Sequence, residues 1–468
     1  MAITFLSHLF KVRFSLPVTG KCNKIAPFIR SPLKIFSCSC LLFGVSVLLG
    51  ALSSLPLSAF SQNAEVSPTS SATESPPAVS DEIDRPSRDV QVETNPNPVN
   101  ENFRRFRYNV GLTVREVYDD NINLSPTNRV ADWYTVIEPE IHLGFGDAEG
   151  GFNYLAFDYV LSAYFFADQT ERNGVEHLIH LGAQHDFGHL VLGLSQDVQI
   201  LDGTSLNSLS NRTGVQANTD VNGPSRSNTY TTAVNASYDL TGKLFLSGQT
   251  NYIRTDYETE AFVSSQIISG VVYLNYVYSP KLVIGLGTTG GVNSSDGSTG
   301  DETFEQINAR ANYIVSGKIS LSISGGIEFR QFGGGNSVSP VYDIAGSYQP
   351  FENTTITIAG SRNTRTSASL AGQDFEETSI SLTVSQRLFS RANLSLAEGY
   401  THSAYLSANT GDATARSDDY FYIEPAFDIN ITRYWSLGVY YLYRTDLSTL
   451  AFFSFHDNQF GIRSSLIF

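Results

Sequence analysis

The stretch KISLSISGGIEFRQF (Lys318–Phe332) carries the pattern that decides the fold. Ile319, Leu321, Ile323, Gly325, Ile327 and Phe329 form one row, and Ser320, Ser322, Ser324, Gly326, Glu328 and Arg330 form the other. Side chains of a strand alternate between two faces, so this spacing predicts a β-strand with one apolar and one polar side. TSISLTVSQRL (Thr378–Leu388) and FEQINARANYIV (Phe304–Val315) repeat the pattern. These runs are long for strands, which average about 5–6 residues in ordinary sheets. Their polar row is also short and mostly neutral, whereas a water-facing sheet would carry many lysines. Beyond residue 102 the chain has three lysines, Lys243, Lys281 and Lys318.

Those lysines mark a repeat. They occur in YDLTGKLFLSG (Tyr238–Gly248), YSPKLVIGLG (Tyr278–Gly287) and YIVSGKISLSISG (Tyr313–Gly325), 38 and 37 residues apart. Each follows a two-residue turn and opens a strand, so one repeat is a β-hairpin. Tyr238, Tyr278, Tyr313 and Tyr348 precede such turns on the apolar row. Tyrosine at the headgroup level, with lysine just beyond it, is the expected arrangement at a membrane interface.

Links between strands alternate in length. Short ones are read at 147–150, 187–188, 241–242, 279–280, 316–317, 350–353, 390–391 and 430–433. Long ones are read at 119–131, 168–174, 202–225, 258–262, 293–302, 333–339, 367–374, 407–418 and 446–454. Eight short and nine long links predict an all-β fold, a transmembrane antiparallel β-barrel of about 18 strands, within a range of 16–20. In hydrocarbon every backbone N–H and C=O needs a partner, so the sheet must close. The first strand, Phe106–Tyr118, is therefore expected to pair with the last, Phe455–Phe468. An even strand number leaves both termini on the short-turn side, the periplasmic side of such barrels.

The rest of the chain fits export. Residues 1–61 read as a signal peptide, with a basic start ahead of LLFGVSVLLGALSSLPLSAFS (Leu41–Ser61). Residues 62–102 are rich in Pro, Ser, Thr and Glu and read as a disordered periplasmic linker. Residues 103–468 form the barrel. Cys22, Cys38 and Cys40 all lie in the signal, which excludes disulfides and thiol chemistry from a processed chain. The first 60 residues hold six basic and no acidic side chains, so the −16 of the whole chain becomes −22 over the remainder. That balance excludes a nucleic-acid partner.

YDDNINLSPTNRVADWYTVIEPEIHLGFG (Tyr118–Gly146) runs from the end of the first strand over a loop into the second. YDDNI after a first barrel strand, then a polar loop, a Trp and an EPEIHL-type strand, resembles the β-barrel porins of Gram-negative bacteria. The likeness is to the loosely defined second family, described only as outer-membrane β-barrel proteins, and it covers Phe103–Phe468. It implies an outer-membrane pore; some members of that family are associated with exopolysaccharide production. It brings no catalytic residues.

On this reading the protein is a porin-like channel in the outer membrane of a Gram-negative bacterium, passing small hydrophilic solutes by diffusion. The alternative is the outer-membrane barrel of an exopolysaccharide export system. Neither an enzymatic activity nor a cofactor is expected. Alternation puts Glu138, Glu140, His142, Asp158, Asp197, Arg310, Glu328, Arg330, Arg387, Arg444 and Arg463 on polar rows, as candidate pore-lining residues. The same charges could instead pair across strands and stiffen the wall. The longest loop, 202–225, with Asp202, Arg212 and Asp220, either folds inward as a constriction or stays at the surface. The acidic excess suggests a mild cation preference.

Asp119, Asp120 and Asn121 suit a turn or, less commonly, a surface cation. His177, His180, His185 and His189 look like metal spacing, but His177 and His180 must face opposite sides of a strand, so no metal site is expected from them. Glu398 falls on an apolar row and calls for a bulge or an interfacial position. The ending NQFGIRSSLIF puts Phe460, Ile462, Leu466 and Phe468 on one row, which resembles the signal read by the barrel-assembly machinery. Expected partners are therefore outer-membrane lipids, that machinery and the solutes, with a homo-oligomer left open.

Overall fold

A computed structural model of the protein describes residues 106–147, 151–202, 220–221, 223, 225–296, 300–332, 335–370, 372–389, 391–406 and 416–468. The expected signal (1–61) and linker (62–102) lie outside the described residues, as does Arg212. Among the described residues there are eighteen strands. They are β1 (Phe106–Asp119), β2 (Asp132–Gly146), β3 (Tyr154–Phe166), β4 (Gly174–Asp186), β5 (Leu190–Leu201) and β6 (Ser227–Asp239). Next come β7 (Leu244–Tyr257), β8 (Ser265–Ser279), β9 (Leu282–Ser295), β10 (Glu302–Ser316), β11 (Ile319–Phe332) and β12 (Gly335–Phe351). The last six are β13 (Thr354–Thr366), β14 (Asp374–Leu388), β15 (Ala392–Tyr405), β16 (Ser417–Asn430), β17 (Trp435–Ser448) and β18 (Phe455–Ile467).

Each strand pairs antiparallel with the next, and β1 pairs antiparallel with β18, so the sheet closes into a barrel. The closing seam runs from Gly111↔Ile467 to Asp119↔Gln459. Phe468 prolongs it: its N–H donates to the Val110 carbonyl at 2.9 Å, and Val110 returns the bond at 3.2 Å. The short links and the start of β1 lie at one end of the barrel, and the long links at the other.

Alternation sorts the two faces as the sequence pattern requires. Along β1, Tyr108, Val110, Leu112 and Val114 point outward and are exposed, while Thr113, Arg115, Val117 and Asp119 point inward and are buried. The outer face is apolar nearly all round, which only a lipid environment tolerates on this scale. Phe106, Tyr108, Phe145, Tyr278, Tyr313, Tyr348 and Trp435 form an aromatic belt near the short turns. Trp133, 5.2 Å from Tyr118, does the same at the other end. Phe460, Ile462 and Phe468 are also on the exposed outer face.

One sequence expectation fails in detail, and one of two alternatives drops out of another. Residues 335–339 are strand rather than part of a long link. β11 and β12 stay paired up to Phe332↔Gly335, with Asn336, Ser337 and Ser339 inside β12. Small polar residues there read as loop, but above the lipid they suit a strand equally well. Glu398 needs no bulge either: β15 keeps an unbroken register with β14 and β16, and Glu398 sits outward between Leu382 and Ile423.

Several inner-row glycines lie beneath an aromatic ring on the neighbouring strand. Gly287 is opposite Tyr273, Gly291 opposite Phe304, Gly399 opposite Tyr422 and Gly461 opposite Tyr440. A Cβ at any of the four would overlap that ring. Glycine lets the ring lie flat on the wall rather than stand into the lumen. Gly399→Val should therefore displace Tyr422 and cost about 1–3 kcal/mol in urea unfolding, and the double variant Gly399→Val/Tyr422→Ala should recover part of that loss. Equal stability of wild type and Gly399→Val would contradict the packing.

Candidate functional site: the lumen and its narrowed mouth

Inner-row charges divide into two sets. The first is accessible from the lumen and runs from the short-turn half of the barrel, at His142 and Asp158, to the middle of the wall, at His180 and Asp197. His142, Asp158, His180 and Asp197 stand directly opposite one another on β2, β3, β4 and β5. His142 Nδ1 lies 2.7 Å from Asp158 Oδ1, and His180 Nδ1 lies 2.6 Å from Asp197 Oδ1. Glu140 Oε2 flanks His142 Nε2 at 3.6 Å. These side chains stay 20–40% exposed, so they face water inside a barrel whose outside is apolar. Arg387 is also on the inner row and exposed, near the short turns. His177 faces the opposite way, against Tyr159.

The second set is paired and, except for the part-exposed Arg463–Asp428 pair, buried. Glu138 receives two bonds from Arg115, at 2.9 and 2.7 Å, and one from Ser162. Arg310 donates to Asn275 and Ser247 and lies over the Tyr273 ring. Arg330 pairs with Glu328 at 2.9 Å and lies over Phe304. Arg444 pairs with Asp457 at 2.5 Å, and Arg463 with Asp428. Planar guanidinium groups satisfy carboxylates through two or more bonds while stacking on rings, which makes a buried charge tolerable. These residues hold the wall together.

The loop-side half of the barrel is narrowed from within. In the β1–β2 loop, Ile122 packs against Val117, Tyr134, Val136 and Tyr164 on the inner wall. Leu124 packs against Tyr420, Tyr422, Leu442 and Phe455. Asn121 ties the turn, accepting from Ser125 N–H and donating to the His456 carbonyl. The β13–β14 hairpin also leans inward. β13 leaves β12 above Tyr342↔Arg362 yet stays paired with β14 to Thr366↔Asp374. Its upper residues reach strands two to four places round the wall. Arg330 of β11 donates to Asp374 and to the Thr364 carbonyl, Thr366 donates to Glu302 of β10, and Asn293 of β9 donates to Thr366.

Asp220, from the β5–β6 loop, fastens this hairpin. It is buried, and it accepts from Ser367 Oγ (2.7 Å), Ser369 Oγ (2.9 Å), Tyr405 OH (2.8 Å) and the Ala368 N–H (2.5 Å). Arg416 donates to the Asp220 carbonyl, pairs with Asp418 at 2.6 Å and lies over the rings of Tyr405 and Phe453. Asp220 thus joins three loops, β5–β6, β13–β14 and β15–β16, to the end of β15. Asp202, at the other end of the β5–β6 loop, pairs with Arg226 at the rim.

Sequence reading did not single out Arg115, His180 as a lumen residue, Arg416, or the inward lean of β13–β14. Alternation gives the face of each residue, but the partner opposite depends on register and on contacts across the lumen. Asp220→Ala would strand buried donors, at about 3–5 kcal/mol. Exchange of the Ala368 and Ser369 amides for deuterium should then accelerate by about a hundredfold or more, while amides in β5 and β15 keep their protection. Unaltered exchange at 367–370 would mean that Asp220 does not hold the hairpin.

No known family's profile matches the chain, and no curated protein does. Solved structures similar to it include Pseudomonas aeruginosa OpdK with vanillate (TM-score 0.42, 11% identity, 77% of this chain and 99% of that chain). Acinetobacter baumannii OccAB3 is similar at TM-score 0.42 and 10% identity, over 77% of this chain and 99% of that one. Pseudomonas aeruginosa OccK2 (OpdF), in complex with glucuronate, is similar at TM-score 0.42 and 10% identity, over 77% and 98%.

Proposed function

We propose that the protein is an outer-membrane channel through which small hydrophilic solutes diffuse. The observation that carries this reading is the row Glu140, His142, Asp158, His180 and Asp197. Partly exposed ionic groups on the inside of a closed barrel, with aliphatic and aromatic groups outside, require water in the interior. The in-folded β1–β2 loop, Asp220 and the β13–β14 hairpin form the constriction. Selectivity is set below it by the accessible row, where three carboxylates face two imidazoles, and this favours cations. The short turns and both ends of the barrel chain face the periplasm, and the outward row of β18 is what the assembly machinery engages.

Reconstitution of the refolded protein in a planar lipid bilayer tests the proposal. Discrete conductance steps are expected, with a reversal potential in a salt gradient that favours the cation. Asp158→Asn/Asp197→Asn should shift that potential toward zero without abolishing the steps. A silent, inserted barrel would reject the channel. Steps with an anion preference would reject only the role given to the acidic row.

A further inference from the structure

The loop-side end of the closing seam holds three carboxylates with unfinished chemistry. Asp119 is the last residue of β1, Asp120 follows it, and Asp457 lies on β18. The strands are tied here by Asp119↔Gln459 and by the Asp120 N–H donating to the Asn458 carbonyl at 3.1 Å. One carboxylate oxygen from each aspartate lies within 4.8 Å of the others.

Existing contacts leave capacity. Asp119 accepts one bond at each oxygen, from Asn121 N–H (2.7 Å) and from Gln459 Nε2 (2.8 Å). Asp120 accepts from the N–H and Nδ2 of Asn458. Each carboxylate oxygen has two lone pairs, so a second acceptor site remains on all four atoms. Asp457 is fully buried; Arg444 and Gln459 both donate to its Oδ2, and its Oδ1 meets no hydrogen-bond partner. A buried anionic oxygen without a donor is costly. Arg444 offsets only one of the three charges.

We propose that Asp119, Asp120 and Asp457 bind a hard divalent cation of the calcium class, which clamps the first strand to the last. Three oxygen atoms within 4.8 Å of one another lie within about 2.8 Å of a common centre, so a small inward shift brings each to the usual Ca²⁺–oxygen distance of about 2.4 Å. Carboxylate oxygens alone, with no imidazole or thiolate, suit calcium rather than a transition metal. The ion would bridge the seam where the hydrogen-bond ladder ends and the β1–β2 loop turns inward.

Metal binding to the refolded, chelator-treated barrel in detergent tests this apart from any conductance. Tb³⁺ luminescence excited through tyrosine should rise to one ion per chain and be displaced by Ca²⁺. Millimolar calcium should raise the temperature at which the barrel loses its compact gel mobility. Asp457→Asn should weaken Tb³⁺ binding about tenfold or more and remove the calcium effect. Asp120→Asn, outside the strand and only half-buried, gives the same readout if Asp457→Asn fails to fold. No saturable Tb³⁺ signal, or an unchanged one in a folded variant, overturns the site. A folded Asp457→Asn that is more heat-stable than wild type, with neither protein responding to metal, would mean that the carboxylates share a proton instead.

Discussion

Everything in this molecule depends on the pairing of β1 with β18. A sheet in hydrocarbon has no water to satisfy an open edge, so the two outermost ladders must find each other. They do so over Gly111–Asp119 and Gln459–Ile467, with Phe468 adding two further backbone bonds. That seam is formed by residues more than three hundred positions apart, and it closes only after the intervening hairpins are in register. The local hairpins are cheap in loop entropy; the seam is the expensive contact, which places the burden of specificity on β1 and β18.

Inside, specificity is supplied by charge. Arg115–Glu138 joins β1 to β2, Arg444–Asp457 joins β17 to β18, and Arg463–Asp428 reaches from β18 to β16. A slip of one residue would turn every one of these groups toward lipid. Such pairs contribute little net stability over a well-packed apolar contact, but breaking one is costly, so they penalise wrong registers more than they reward the right one. The glycine–aromatic pairs serve the same end by shape, since each ring fits only where its glycine is.

The face of nearly every strand residue was legible in the sequence, because period two survives any error in strand ends. The strand total was legible because turns alternate short and long. Register was not: nothing in HLGFG (His142–Gly146) and FDYV (Phe157–Val160) announces that His142 will meet Asp158. Contacts across the lumen were less legible still. Asp220 reaches Ser367 over 147 positions, and its neighbours in sequence are ordinary loop residues. The mistaken reading of loop over 335–339 has the opposite cause. Polar composition signals exposure to water, and a strand that outgrows the membrane is exposed to water too.

The antiparallel seam also quantises the size of the pore. A closed ring in which every neighbour runs antiparallel admits only an even number of strands. The barrel can therefore widen or shrink only by a whole hairpin, the unit marked by Lys243, Lys281 and Lys318. Each step alters the circumference by two interstrand spacings, about 10 Å. Duplication or loss of one such unit keeps the ring wholly antiparallel, whereas gain of a single strand would leave the first and last strands parallel and the present antiparallel seam unable to form.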